Sequence, residues 1–190
     1  PTRTVIDVTS ESDEMACVLV VEDEANLLEL YEVWLGEEYT VRTATGGTAA
    51  LDRLDSGVDA MVLDRRMPDV SGDALLRQVR EEGCTCPVGL VSAAEPDFDL
   101  LELGFDAHLS KPVKREQLTG VVARLLEVGT LEPEPRALYQ RLVKHAVLEE
   151  SKSLVELEAN EAYTSLETGL QETMASMDVG RVESVMRLVP

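Results

Sequence analysis

Lysine is scarce in this 190-residue chain: Lys111, Lys114, Lys144 and Lys152 are all there are, and the other basic residues are arginines. Cysteine is limited to Cys17, Cys84 and Cys86, an odd number that argues against a disulfide framework. Histidine occurs twice, as His108 and His145. That leaves the pair in "CTCP" (84–87) without the partners a zinc site needs, so buried or half-buried free thiols are expected. No apolar run approaches the roughly 20 residues that span a bilayer, and no signal-peptide core is present. The reading is a soluble, cytoplasmic protein with no membrane partner.

What is abundant is acid: 37 Asp and Glu against 17 Lys and Arg, for a formal net charge of −20. Such a surface disfavours non-specific contact with nucleic acid or anionic lipid and favours solubility. Acid excess with little lysine also resembles proteins from cytoplasms that contain molar salt. A hydrophobic fraction of 44% is enough for a packed core, so the chain is not a disordered acidic tail.

Residues 1–15 lack periodicity and are read as a flexible N-terminal tail. From Ala16 to about residue 128 the pattern alternates. Runs of strand character at 16–21, 39–44, 59–64, 87–92 and 107–111 are separated by helical patterns at 24–36, 46–55, 72–82, 97–103 and 114–127. This repeat predicts an α/β fold, a five-stranded parallel doubly wound (flavodoxin-like) sheet with helices on both faces. Near-continuous apolar strands such as Val18–Val21 fit a sheet covered on both sides. Residues 129–135, with Gly129, Pro133 and Pro135, are read as a linker, and Pro135 as the start of the next helix. Residues 136–190 are read as all-helical. Tyr163, Leu166, Leu170, Met174 and Met177 form a seam-like stripe. A hairpin breaking near Asn160, with "TSLE" (164–167) as a capping box, competes with one long helix.

Ligands in such sheets bind at the carboxyl ends of the strands. Glu22 and Asp23 follow the first strand, Asp64 ends the third, Ser92 ends the fourth, and Ser110-Lys111-Pro112 end the fifth. Two unit charges 4 Å apart cost roughly 4 kcal/mol at an effective dielectric near 20. Three carboxylates in one pocket therefore hold protons or a cation. An all-oxygen set with room for water suits Mg2+, and Lys111 supplies a fixed positive charge opposite.

The motifs "VLVVEDE" (18–24), "VLDRRMPDVSG" (62–72), "LVSA" (90–93) and "HLSKP" (108–112), in this order, resemble the receiver domain of two-component response regulators. The resemblance implies that Asp64 is the phosphoacceptor, charged by a sensor histidine kinase. It implies Mg2+ held by Asp23, Asp64, the backbone carbonyl of Arg66 and, through water, Glu22. Ser92, the Ala93 backbone N–H and Lys111 would bind the phosphoryl oxygens, and Ser92 and His108 would form the switch. No catalytic residue beyond these is implied, and no independent enzyme activity. Histidine at 108 raises a pH-dependent switch as an expectation. Arg65 and Arg66 are read as solvated loop residues, with the Arg66 side chain bordering the acyl phosphate. Only 18 residues separate Ser92 from Lys111, so the helix between them must be short.

The C-terminal part, with "LVKHAVLEESKSLVELE" (142–158) and "LEANEAYTSLE" (157–167), is similar to the HalX-type helical region appended to receivers in haloarchaea. Residues 131–190 carry eleven acids and six bases, and no basic recognition helix. Self-association, as in a homodimer, or docking to a downstream protein partner is the first reading. DNA binding by a transcription regulator is the alternative, and packing of the helices on the receiver is a third.

Overall fold

Five short strands form one sheet: β1 Cys17–Val21, β2 Thr40–Ala44, β3 Ala60–Asp64, β4 Val88–Ser92 and β5 Ala107–Ser110. All neighbours are parallel, in the order β2-β1-β3-β4-β5. The computed structural model describes residues 15–190, so the expected N-terminal tail lies outside the described residues except for Met15. Helices α1 Ala25–Leu35, α2 Gly47–Arg53 and α3 Gly72–Glu81 link the first four strands, and α4 Arg115–Gly129 follows β5. Between β4 and β5 the short link is a 3-10 helix, Phe98–Glu102.

Side-chain alternation along each strand divides the core into two layers. Val18, Val20, Val62 and Val91 face Leu28, Tyr31 and Leu35 of α1 and Leu118 and Val122 of α4. Leu19, Val21, Met61, Leu63 and Leu90 face the other way, against Leu75, Leu76 and Val79 of α3. Burial on both faces explains why these strands read as unbroken apolar runs.

That second layer does not stop at the sheet domain. Leu138, Tyr139 and Val143 of α5 (Pro133–Ser151), Leu170 and Met177 from α7 (Glu161–Ser176) and its end, and Val185 of α8 (Val179–Met186) belong to the same apolar cluster. The C-terminal helices are therefore packed on the α/β domain. The expected linker is shorter than read. Helix α4 runs to Gly129 and α5 opens at Pro133, leaving residues 130–132 between them. Both Pro133 and Pro135 fit in the first turn of α5, because N–H groups there have no partner one turn back.

The expected break near Asn160 is present, and the single long helix is not found. The chain breaks twice, at Lys152 and at Asn160, with the short helix α6 (Leu154–Ala159) between. Ser153 and Glu156 form a capping box on α6. The Asn160 side chain accepts from the Tyr163 N–H (3.0 Å) and caps α7. "TSLE" lies inside α7, where the Thr164 hydroxyl donates back to the Asn160 carbonyl (3.1 Å). The seam-like stripe is mostly internal: Tyr163, Leu170 and Met177 are buried, while Met174 is exposed. No described helix is long and apolar enough to cross a membrane.

A buried carboxylate fixes the junction between sheet and helices. Asp106, just before β5, is fully buried. Its oxygens accept from the Val88 N–H (2.9 Å), from Arg136 Nε (2.9 Å) and Nη2 (3.0 Å), and from Gln140 Nε2 (2.9 Å). Arg80 Nη2 stands 3.4 Å away. A buried charge is tolerable when paired and hydrogen-bonded in this way.

Candidate functional site

The carboxyl ends of β1, β3 and β5 bring Glu22, Asp23, Asp64 and Lys111 together. Lys111 Nζ donates to Asp64 Oδ2 (2.7 Å) and to Glu22 Oε2 (2.8 Å). Glu22, Asp64 and Ser92 are 1%, 5% and 0% exposed, so these charges meet in a region largely shut off from water. Asp64 Oδ1 accepts from the Arg66 N–H (3.1 Å), which fixes the carboxylate on its own loop. The Lys111 N–H donates to the Ser92 carbonyl (2.8 Å) and ties β5 to β4 at this edge.

Burial is the main reason that Glu22 is pushed up to about 7; the hydrogen bond from Lys111 acts against it, and the charge on Asp64 adds to it. Burial also opposes the charge on Lys111, but hydrogen bonds to Asp64 and Glu22 outweigh it, and its pKa lies above the ordinary value. One ammonium thus serves two carboxylates, and Asp23 adds a third. Carboxylate oxygens of Glu22, Asp23 and Asp64 lie within 4.8 Å of one another. Hard oxygen donors at that separation, with excess negative charge, fit a small divalent cation such as Mg2+.

The loop after β3 depends on close packing. The Gly72 N–H donates to the Arg65 carbonyl (2.9 Å). A Cβ at Gly72 would stand 2.2 Å from the Asp64 carbonyl oxygen and 2.8 Å from Arg65 Cα. The loop can fold back on Asp64 only because this residue is glycine. Ser71 then caps α3 by accepting from the Ala74 N–H (3.2 Å).

Residues 18–123 match the response regulator receiver domain family, more than half of the chain. The chain belongs to that family. Residues 130–181 match the HalX domain, so the receiver is followed by a HalX segment. A Haloferax volcanii protein described as a candidate transcriptional regulator is 41% identical over 159 residues, covering 83% of this chain and 27% of that protein. The response regulator ArlR of Staphylococcus epidermidis is 33% identical over 129 residues, covering 65% of this chain and 57% of ArlR. The chain therefore spans between about a quarter and just over half of these relatives. Among solved structures, the beryllofluoride-activated receiver domain of DrrB is 30% identical with a TM-score of 0.55, covering 60% of this chain and 98% of that one. Chemotaxis protein CheY4 of Vibrio cholerae is 26% identical with a TM-score of 0.56, covering 59% of this chain and 99% of that one.

Other expected residues of the receiver sit less simply. The Ser92 hydroxyl is at the mouth of β4 but is turned into its own loop. It accepts from the Ala94 N–H (3.0 Å) and lies 3.3 Å from the Ala94 carbonyl. Ala93 follows it and is exposed, as is Arg66. His108 lies on β5, edge-on to Phe105 with ring centroids 6.5 Å apart, and its Nε2 is buried without a partner. Burial, and secondarily the charge of Arg65, lower its pKa to about 4. Burial of the ring beside Arg65 therefore opposes the charge that a pH-dependent switch at His108 would need.

Arg65 is the second correction. It is buried, not solvated. Its Nε and Nη2 grip Asp73 at the start of α3 (2.9 and 3.0 Å), and Nη2 also pairs with Asp99 of the 3-10 helix. Sequence reasoning missed Arg65, Asp106 and Arg136 because their partners are distant in the chain. The one available signal was an arginine beside the key aspartate with acids downstream, and that is common on acidic surfaces.

Proposed function

We propose that this chain is a response regulator of a two-component phosphorelay that works in the cytoplasm. Asp64 accepts a phosphoryl group from a phosphohistidine on a sensor histidine kinase. A carboxylate oxygen of Asp64 attacks phosphorus, the P–N bond breaks, and the imidazole leaves with its electron pair. Hydrolysis of the acyl phosphate returns Asp64. The observation that carries this reading is Lys111 Nζ within hydrogen-bond reach of both Asp64 and Glu22 at the strand mouths. Phosphoryl transfer is mainly positioning and charge neutralisation. Asp23, Asp64, the Arg66 carbonyl and, through water, Glu22 would hold Mg2+, which offsets charge on the transferring group. Lys111 does the same from the other side, and Ser92 and the Ala93 N–H donate to the phosphoryl oxygens once the Ser92 hydroxyl leaves Ala94.

The state leaves the site through two contacts. Ser92 and His108 form one switch. The other is Arg65, whose backbone adjoins Asp64 and whose guanidinium holds Asp99 on the 3-10 helix. The HalX segment grips that same helix: Lys144 Nζ donates to the Leu101 carbonyl (2.8 Å), and Lys152 pairs with Asp97 (3.3 Å). Phe98 and Leu101 pack on Leu148, Leu157 and Tyr163. The net charge change of about −1 on phosphorylation, spread over three phosphoryl oxygens beside Arg65, competes for its guanidinium and loosens this grip. The exposed apolar side chains Leu154, Val155, Val179 and Met186 then support self-association or docking to a protein partner.

A transcription regulator that binds DNA is the second reading, favoured by the description of the Haloferax relative. The acid excess of the helices opposes it, although in molar salt the Debye length shrinks to about 3 Å and the repulsion is screened.

The test is to incubate the full chain with acetyl phosphate and Mg2+ and to resolve the products by phosphate-affinity electrophoresis. Phosphorylation lost in Asp64→Asn and strongly slowed in Lys111→Met is expected. Undiminished phosphorylation of Asp64→Asn would sink the assignment. Light scattering in multimolar KCl, with and without beryllofluoride, then decides the output. A rise in mass assigns self-association, and an unchanged mass leaves a heterologous protein or DNA.

A further inference from the structure

The turn between α3 and β4 lies at the other end of the sheet from Asp64. Here Cys84 and Cys86 bring their Sγ atoms to 3.4 Å, and both are half-buried free thiols. They line a cleft of about 890 Å³ together with Gly129, Thr130 and Arg136, at the junction between receiver and HalX segment. All three carbonyls of the turn are held by arginines. Arg80 Nη1 donates to Cys84 O and Cys86 O (2.9 Å each), and Arg136 Nη1 donates to Thr85 O. The remaining N–H groups of Arg136 hold the buried Asp106.

We propose that Cys84 and Cys86 are a reversible redox site, oxidised to a disulfide by hydroperoxides, whose state sets how firmly the start of α5 is held on the receiver. The sulfurs need to approach by only about 1.4 Å to reach a bonding distance near 2.05 Å. Closing a ring across one intervening residue must turn the 84–86 backbone, and the Thr85 carbonyl held by Arg136 lies inside that ring. The thiolate of Cys84 attacks a peroxide oxygen, the O–O bond breaks, and a sulfenic acid and hydroxide form. Cys86 then attacks that sulfur, the S–O bond breaks, and its proton and the hydroxyl leave as water. Two thiols lose two electrons, and one hydrogen peroxide becomes two waters. Burial, and then the neighbouring Cys84, push the Cys86 thiol up to about 12, so Cys86 enters second, as a thiol. Cys17 is a built-in control: it is a buried free thiol on β1 and is not within hydrogen-bond reach of either sulfur.

The experiment treats the full chain with hydrogen peroxide, maps thiols by alkylation and mass spectrometry, and follows hydrogen exchange over residues 133–140. Loss of two hydrogens confined to the 84–86 peptide, restored by dithiothreitol, is expected, with loss of exchange protection in the first turns of α5. Cys84→Ser and Cys86→Ser should each abolish both changes. Either variant alone suffices for the test if the other fails to fold. Over-oxidation of a single cysteine, disulfides between chains, or a disulfide that leaves exchange in α5 unchanged would each overturn the proposal.

Discussion

Asp106→Asn tests whether the HalX helices are held on the receiver by one buried carboxylate. The substitution keeps the shape but replaces one acceptor oxygen with an NH2 group. Oδ1 serves Arg136 Nε and Gln140 Nε2, and Oδ2 serves the Val88 N–H and Arg136 Nη2. Whichever way the amide turns, at least two donors then face a donor, and the charge of Arg136 loses its partner. Breaking a buried pair by removing one charge costs about 3–5 kcal/mol. For a chain of this size each 1 kcal/mol shifts Tm by roughly 2–4 °C, so a fall of roughly 6–20 °C is expected. Thermal unfolding followed by circular dichroism measures it. A double-mutant cycle with Arg136→Met locates the loss, since contacting residues couple by about 0.5–3 kcal/mol whereas independent sites add within about 0.5 kcal/mol. Additive effects, or an Asp106→Asn cost below about 1 kcal/mol, would refute the idea that this carboxylate is the anchor.

Three further outcomes are expected. Arg65→Met should leave phosphorylation of Asp64 by acetyl phosphate in place, yet abolish the change that beryllofluoride makes in hydrogen exchange over residues 98–102; a preserved response would remove Arg65 from the relay. Gly72→Ala should destabilise the receiver by about 1–3 kcal/mol, as over-packing does, and slow phosphorylation, because its Cβ meets the Asp64 carbonyl; urea titration and the same gel assay check it. His108 has a folded-state pKa lowered to about 4 against an ordinary value of 6.5, so its contribution to stability is complete above pH 6.5 and is lost as pH falls through 4. His108→Phe should accordingly flatten the stability profile between pH 4 and 6.5 in urea titrations; an unchanged slope would contradict this burial.

The alternation of strands and helices, the parallel doubly wound sheet, and the meeting of Glu22, Asp23, Asp64 and Lys111 were legible in the order of residues alone. Each of these follows from local information: a run of apolar residues, its length, and the polar residue that ends it. The shortness of the link between Ser92 and Lys111 was legible for the same reason, and it appears as a 3-10 helix. Tertiary structure decided what depended on distant partners. Arg65 looks like a solvated loop residue until Asp99, 34 positions on, is brought beside it. The stripe on α7 looks like a surface awaiting a partner, but α5 already lies against it. Asn160 and Thr164 both have the chemistry of a helix cap, and only packing chose the first. The His108 pKa is lowered because burial removes the water that would stabilise its charge, a property of its neighbours in space and not of its place in the chain.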